Sequence, residues 1–426
     1  MGLPGVSGTG YIHVTSAAWV YQTDGNLGHA NSFTNTGVTS SSGDVVMIAL
    51  DVDAGKVWFG KNGTWFSSGN PATGANPSYS NITGTISPAI SIYGTQTGSF
   101  NFGARAFHSA APSGFSTLNT ANLPIPTIAD GSKYFDVRSG LSAQFTISDL
   151  NFATGLMAAK STSNDEYWIV ADVVRNNFVG PLRFNDTNAE GGGAAITNVS
   201  ATGYQSDSNW FSGGRTYATF NWDAGTGSPA TNNNGSIASQ VRANPSAGFS
   251  ICTYSGNGTG GASIGHGLNA APNMVLVKRR NSSAFWEMFH ASVGNTKVLY
   301  LNNTDAATTS SASWNNTSPT SSVVTFGNSS GTNASGSTYV AYCFAPVAGY
   351  SAMGSFVANG STDGPFVFTG MRPRWIMIKA ATNTQHAAYN SWLIIDAARY
   401  SYNGLGSAAL YANGNYAEGK GGDGAA

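Results

Sequence analysis

Charge is the first thing this chain lacks. Charged residues make up 9% of its 426 residues, against about a quarter in an average soluble protein. Nineteen basic and twenty acidic residues leave a formal net charge of -1. The densest basic cluster is Lys278, Arg279 and Arg280, too short to neutralise a row of phosphates, so no nucleic-acid partner is expected. Long apolar runs are missing as well. No stretch nears the ~20 apolar residues of a membrane span, so no membrane insertion is expected. The Gly-rich residues 1–10 have neither the basic nor the apolar part of a secretion signal. Cysteine occurs twice, as Cys252 and Cys343, which is no disulfide scaffold; both fall in predicted strands and are expected to be buried free thiols.

The motifs of metal and cofactor chemistry are missing too. Six histidines are scattered at positions 13, 29, 108, 266, 290 and 386 without ligand spacing, so zinc is not expected. His266 lies in a Gly-His-Gly turn and is expected at the surface. Asp51, Asp53 and Gly55 begin like a calcium loop, but position twelve of that loop is Asn62 where a bidentate Glu is needed, so a polar turn is the expectation. There is no P-loop, no dinucleotide fingerprint and no nucleophile elbow with a triad order. The expectation is a protein with no cofactor and no metal, and not an enzyme.

What is present is glycine, 54 residues of it, with abundant Ser, Thr and Asn and with 12% aromatics. A disordered chain would be poor in aromatic and β-branched residues. Apolar residues come in short, often alternating runs: 45–50, 90–93, 274–277, 298–301, 323–326, 339–344 and 375–378. Asn-Gly pairs at 62, 234, 257, 359, 403 and 413 separate several of them, and Asn-Gly supplies the two positive φ angles of a type I′ hairpin turn. The fold class is all-β: several β-sandwich or jelly-roll-like domains in tandem. The one short stretch with helical character is 165–176.

The second half repeats itself. Tyr254 and its Gly/Asn-rich turn, Gly267, Pro272 and the strand ending at Lys278 reappear as Phe356, Gly370, Pro373 and the strand ending at Lys379. A weaker copy lies upstream around Lys160, with Trp168 parallel to Trp286 and Trp392. Asp172 and Arg175 match Asp396 and Arg399, whereas the middle copy has His290 near that place. The predicted organisation is a sandwich over 1–108, a linker over 109–133, β repeat 1 over 134–224, a linker over 225–247, repeat 2 over 248–347 and an incomplete repeat 3 over 348–426. At roughly 100–120 residues each repeat is expected to hold its own core. Repeat 3 has no counterpart of 323–326 or 339–344, so its last strands are expected from elsewhere or from a longer chain.

Two family resemblances follow from these residues. Gly43 to Asp51, then Asp53, Lys56, Trp58, Asn62 and Trp65, then Pro71, the 86–92 run and Asn101 to Gly103 resemble the second half of a SPRY domain, a bent β-sandwich; the opening hairpin of that fold is expected to be missing. The remainder resembles a repeat family of virion structural proteins from tailed phages, especially phages of marine bacteria. The residues that carry it are 246–258, Ile264 to Leu268 with Pro272, the Lys278 strand, 339–345, 363–366, 391–399 and Ala417 with Glu418. This resemblance implies an exposed virion part, such as a tail fibre, an appendage or a capsid-surface protein.

The expected role is therefore a bacteriophage structural protein on the outside of the particle, engaged in adhesion to host-surface glycans. Its partners would be other virion proteins and those glycans, and a homo-oligomer, with a trimer favoured by analogy with phage fibres, is expected. A secreted lectin-like bacterial adhesin is the alternative, and a glycan hydrolase a more distant one. Trp58, Trp65, Tyr93, Trp210 and Trp314 lie in or near polar turns and are the candidate sugar-stacking residues, since an aromatic face packs on a sugar ring while amides and hydroxyls bond its OH groups. Each could equally fill a core. Asp172–Arg175 and Asp396–Arg399 could be catalytic pairs, but their recurrence in a repeat points to structural ion pairs.

Overall fold

The computed structural model describes residues 16, 18–84, 86–92, 97–119, 122, 126–358, 360, 365, 367–382, 390–400 and 408–419. They form two compact units: Met1–Pro124 with Phe356–Val367, and Ile125–Ser355 with Phe368–Ala426. Regular structure is almost entirely strand, in several separate sheets, and the fold is all-β.

The first unit carries two antiparallel three-stranded sheets. One holds β1 (Val20–Tyr21), β2 (Asn26–His29) and β3 (Ser32–Asn35); the other holds β4 (Val46–Asp51), β5 (Lys56–Lys61) and β6 (Thr64–Trp65). Asp51 accepts the Ala54 N–H at 2.9 Å, so its carboxylate is engaged in the β4–β5 turn. Asn62 and Gly63 have φ of 48° and 93° and close the β5–β6 hairpin as the Asn-Gly pair requires. Leu27, Val57, Phe59, Phe66 and Ile82 form the core.

In the second unit, repeat 1 contains β7 (Phe135–Ser142), β8 (Thr146–Ile147), β9 (Leu156–Ser161), β10 (Ile169–Asp172), β11 (Ile196–Ser200), β12 (Gly203–Ser206) and β13 (Thr216–Trp222). They form one sheet of order β10-β9-β13-β7 and a smaller one of order β11-β12-β8. Phe145, Ile147, Met157, Ile169, Tyr204 and Tyr217 fill the space between the two. Within 165–176 lie the strand β10 and a turn: Val170 faces one core while Ile169 and Ala171 face another, the alternation of a strand.

Repeat 2 follows with β14 (Ala230–Asn232), β15 (Ser239–Asn244), β16 (Phe249–Ser255), β17 (Ser263–Gly265), β18 (Met274–Arg279), β19 (Glu287–His290), β20 (Lys297–Tyr300), β21 (Thr308–Thr309), the single turn α1 (Ser311–Trp314), β22 (Val323–Thr325) and β23 (Thr338–Phe344). Its large sheet runs β14-β15-β16-β23-β18-β19-β20-β21, and β17 pairs with β22. The stretch 225–247 is therefore not a linker. β15 pairs residue for residue with β16, and that ladder overrides a Gly/Asn/Ser-rich composition of low strand propensity. His266 is buried rather than exposed: its Nδ1 accepts the Leu268 N–H and its Nε2 lies 3.2 Å from the Thr320 carbonyl. Cys252 and Cys343 are buried and free.

Repeat 3 contributes β24 (Trp375–Ile378), β25 (Leu393–Asp396) and β26 (Leu410–Tyr411), in that order. The repeats agree in register. The strand order β7-β13-β9-β10 recurs as β16-β23-β18-β19. Leu156 stands opposite Asp172, Met274 opposite His290 and Trp375 opposite Asp396. Four residues on, Lys160, Lys278 and Lys379 occupy the same place.

The tandem β units are also joined to one another. Repeats 1 and 2 each have an outer core, but a further core draws on all three, including Trp168, Phe220, Trp286, Tyr342, Trp392 and Leu410. The joints around it are the same three times over. The Trp168 indole N–H donates to the Tyr411 carbonyl at 2.8 Å, that of Trp286 to Arg183 at 2.7 Å, and that of Trp392 to Tyr300 at 2.9 Å. Repeat 1 thereby reaches repeat 3, repeat 2 reaches repeat 1, and repeat 3 reaches repeat 2, which closes a ring. Backbone bonds cross the same three joints in the opposite sense: Glu190 N–H to Arg280 O, Ala307 N–H to Ala381 O and Glu418 N–H to Thr162 O. The unit is a pseudo-threefold ring in one chain.

The three lysines sit at these joints. Lys278 donates to the Thr187 and Ala284 carbonyls at 2.9 and 3.0 Å, Lys379 to Thr304 at 2.9 Å, and Lys160 to Ser161 at 2.8 Å. Burial pushes each ammonium down to about 8, although nearby carboxylates, Glu166 and Asp165 for Lys160, Asp186 and Glu190 for Lys278 and Asp305 for Lys379, favour the charged form. A folded value below the unfolded one means that the burial cost is fully present below about pH 8. It fades as pH rises toward 10.5, where the unfolded state also loses its proton, so stability increases over that window. Buried tyrosines such as Tyr204 are raised above 10 and act oppositely beyond that pH, because only the unfolded state ionises. The melting temperature should therefore rise between pH 7.5 and 9.5, and the rise should disappear when Lys160, Lys278 and Lys379 are all replaced by Met.

Candidate functional site

The aromatic residues singled out by the sequence part company in the structure. Trp58 and Trp314 are 1% exposed and their faces are closed to any sugar. Trp58 donates to the Ala75 carbonyl and meets Phe115 edge-on, while Trp314 packs among Phe289 and Phe326. Both are core residues. Trp65 is partly buried against Gly60, where a Cβ would stand 3.0 Å from its ring. Tyr93 lies outside the described residues. Trp210 keeps part of its surface open and has an aromatic neighbourhood.

That neighbourhood begins at Trp168. The strand alternation that sends Trp168 into the shared core turns Tyr167 outward, where it is 48% exposed. Leu182 bridges to Val170 and is buried, so Arg183 also points outward. Its guanidinium stands 4.4 Å from the Tyr167 ring centre and 5.6 Å from that of Trp210, in contact with both π faces. Such contacts are worth about 0.5–1 kcal/mol each at an exposed site. Trp210 is held by its indole N–H on the Gly192 carbonyl at 3.2 Å, and Gly191 allows the ring to lie close, since a Cβ there would stand 2.6 Å from it. Arg183 also pairs with Asp186 at 3.2 Å, and Asp186 accepts the side-chain and backbone N–H of Asn188. The result is a surface patch with two aromatic rings, a cation, a carboxylate and an amide.

Of the residues in this patch the sequence pattern singled out Trp210 and not Tyr167 or Arg183. A signal for both existed. Tyr167 is the outward neighbour of a landmark Trp, and Arg183 holds the position that is Tyr300 and Tyr411 in the other repeats.

The ion pairs are structural. Arg175 is buried, with Nε on Asp172 at 2.6 Å, Nη1 on the Gly180 carbonyl and Glu190, and Nη2 on the Val170 carbonyl and the Tyr342 hydroxyl. The hydroxyl in turn donates to Asp172 at 2.7 Å. Arg399 repeats the pattern on Asp396 and the Ala408 carbonyl. Among the described residues its Nη2 is buried without a hydrogen-bond partner, and the residue equivalent to Tyr342 is Phe220, which has no hydroxyl. In repeat 2 the place is taken by His290. Groups so enclosed reach no substrate. A cavity of about 30 Å³ lies at the centre of the ring, and its walls carry no carboxylate, histidine or cysteine. Among the described residues no cluster of His, Cys, Asp and Glu could hold a metal ion.

Comparison with known families divides the chain near residue 125, as the structure does, and differs from it over Phe356–Val367. Residues 130–425 match a domain of unknown function, DUF7483, across the whole three-repeat ring. The chain belongs to the DUF7483 family. Ahead of that ring, residues 5–105 match the SPRY domain. No curated protein and no solved structure matches the chain. The Tyr167–Arg183–Trp210 patch thus lies within the DUF7483 ring and not within the SPRY domain.

Two reciprocal substitutions test the ion-pair assignment. Tyr342→Phe should cost about 1–3 kcal/mol, the penalty for a buried charged pair that loses a hydrogen-bond partner. Phe220→Tyr should stabilise by about 1 kcal/mol if its hydroxyl reaches Arg399 Nη2. Urea denaturation of both variants reads the two signs, and equal signs would remove the equivalence of the two sites.

Proposed function

We propose that this chain is an exposed, non-enzymatic structural protein of a bacteriophage particle, and that its DUF7483 ring presents the Tyr167–Arg183–Trp210 patch to host-surface glycans. The patch carries the reading. It sets two partly exposed aromatic rings, Tyr167 and Trp210, beside Asp186, Asn188 and a guanidinium that can bond sugar hydroxyls, a combination that suits a saccharide. The phage assignment rests on the resemblance of the repeat residues to tailed-phage virion proteins. A low-charge surface rich in amides and hydroxyls supports it, because such a surface stays hydrated in saline media where surface ion pairs are screened. Homo-oligomerisation, with a trimer favoured, belongs to the same reading, and light scattering of the purified chain tests it.

A glycan array probed with the whole protein tests the adhesion directly. Binding should fall at least tenfold in Tyr167→Ala and in Trp210→Ala, with circular dichroism unchanged. A protein that binds equally well after both substitutions, or that binds no glycan of its host, would leave the patch without this role.

A further inference from the structure

The elements of the Tyr167 patch recur in repeat 2. Trp286 takes the place of Trp168, so Phe285 takes that of Tyr167. Like Tyr167 it points away from the shared core, and it is 47% exposed. Phe285 is part of none of the hydrophobic cores. Tyr300 takes the place of Arg183 and is half-buried. The rings of Phe285 and Tyr300 stand 5.1 Å apart, tilted by 47°.

The polar half of the patch recurs too. Asp186 and Asn188 align with Asn303 and Asp305, a carboxylate and an amide in exchanged order. The two pairs are built alike. The backbone N–H of Asn188 donates to Asp186 Oδ1 at 3.0 Å, and its side-chain amide donates to Oδ2 at 3.0 Å. The backbone N–H of Asp305 donates to Asn303 Oδ1 at 3.1 Å, and the Asn303 amide donates to Asp305 Oδ2 at 2.6 Å. Where Arg183 pairs with Asp186, Tyr300 brings a hydroxyl instead. Burial, Glu287 and the Asp305 carboxylate raise that hydroxyl above its usual value, so Asp305 lies near it.

Both sets of side chains stand on the joints of the ring. The Arg183 and Tyr300 carbonyls accept the indoles of Trp286 and Trp392. The Thr187 and Thr304 carbonyls accept Lys278 and Lys379. The backbone that carries each set is therefore fixed before any ligand arrives, and little ordering entropy opposes binding.

We infer that Phe285, Tyr300, Asn303 and Asp305 form a second saccharide site, in repeat 2 and independent of the first. Its ligand class rests on the saccharide reading of the Tyr167 patch. The apolar face of a pyranose packs on Phe285, while its hydroxyls bond the Asp305 carboxylate and the Tyr300 hydroxyl. The one charge of this site is negative, so it selects an uncharged sugar. Repeat 3 has Ser391, Gly414 and Tyr416 where the outward ring and the polar pair would stand, and forms no third site of this kind. On a glycan-coated surface the two sites act together, so the loss of either weakens binding by far more than half. Free sugars read them one at a time.

Fluorine NMR of the whole protein labelled with fluorotyrosine tests this, with Tyr167→Phe and Tyr300→Phe assigning the two reporter signals. The probes are the methyl glycosides of glucose, galactose, mannose and N-acetylglucosamine. With at least one of them the Tyr300 signal should shift saturably. The same shift should persist within twofold in affinity in the double variant Tyr167→Ala/Trp210→Ala. It should weaken at least tenfold in Phe285→Ala and in Asp305→Asn, with circular dichroism unchanged. A Tyr300 signal that no probe moves would overturn the inference. So would a shift that vanishes with Tyr167 and Trp210, or one that survives both Phe285→Ala and Asp305→Asn. A Tyr167 signal that stays still while that of Tyr300 moves would count against the Tyr167 patch and leave the second site standing.

Discussion

The indole N–H of one repeat donates to a backbone carbonyl of the next, three times in a closed cycle, and the rest of the DUF7483 unit depends on that bond. Each tryptophan is buried, so an indole or a carbonyl left without its partner inside the ring costs about 1–3 kcal/mol. The backbone N–H of each tryptophan is fixed as well, by Asn185, Asn302 and Asn413 in turn. The asparagines lie two residues beyond the accepting carbonyls, so one short segment both orients its own tryptophan and receives that of a neighbour. Three copies of a four-residue device are enough to bring sheets from distant parts of the chain onto one core.

Divergence among the copies is concentrated around this constant part. Repeats 1 and 3 carry the Asp–Arg pair at the joint, and repeat 2 carries His290 there. Repeats 1 and 2 cover the outer faces of their sheets with a second sheet, and repeat 3 among the described residues does not. The ring therefore acts as a rigid frame, and its outward positions are the ones free to differ. Position 183 shows this: its carbonyl serves the ring, while its side chain, Arg in one repeat and Tyr in the other two, is only partly buried and differs.

Much of this was legible in the sequence. The Lys160, Lys278 and Lys379 strands, the landmark tryptophans and the Asn-Gly hairpin at Asn62 read directly, because alternation and turn chemistry are local. Ring closure was not, since no periodicity in Trp286 announces that its partner is Arg183. The strands β14 and β15 were hidden in a Gly/Asn/Ser-rich stretch, as their pairing with β16 and not their propensity makes them strands. Trp58 and Trp314 looked like surface rings because their sequence neighbours are polar; their burial comes from Phe115 in one case and Phe289 with Phe326 in the other, all remote in sequence. His266 deceived for the same reason, with its partner at Thr320.

The central claim is that the three repeats form one cooperative ring. Amide hydrogen exchange of the whole protein, compared with that of Trp286→Phe, tests it most directly. Loss of one indole N–H in repeat 2 should lower the protection of β9, β18 and β25 by the same free energy, because opening any joint opens the shared core. Faster exchange confined to β18 and β19, with β9 and β25 unchanged, would contradict the ring and return the repeats to independent domains.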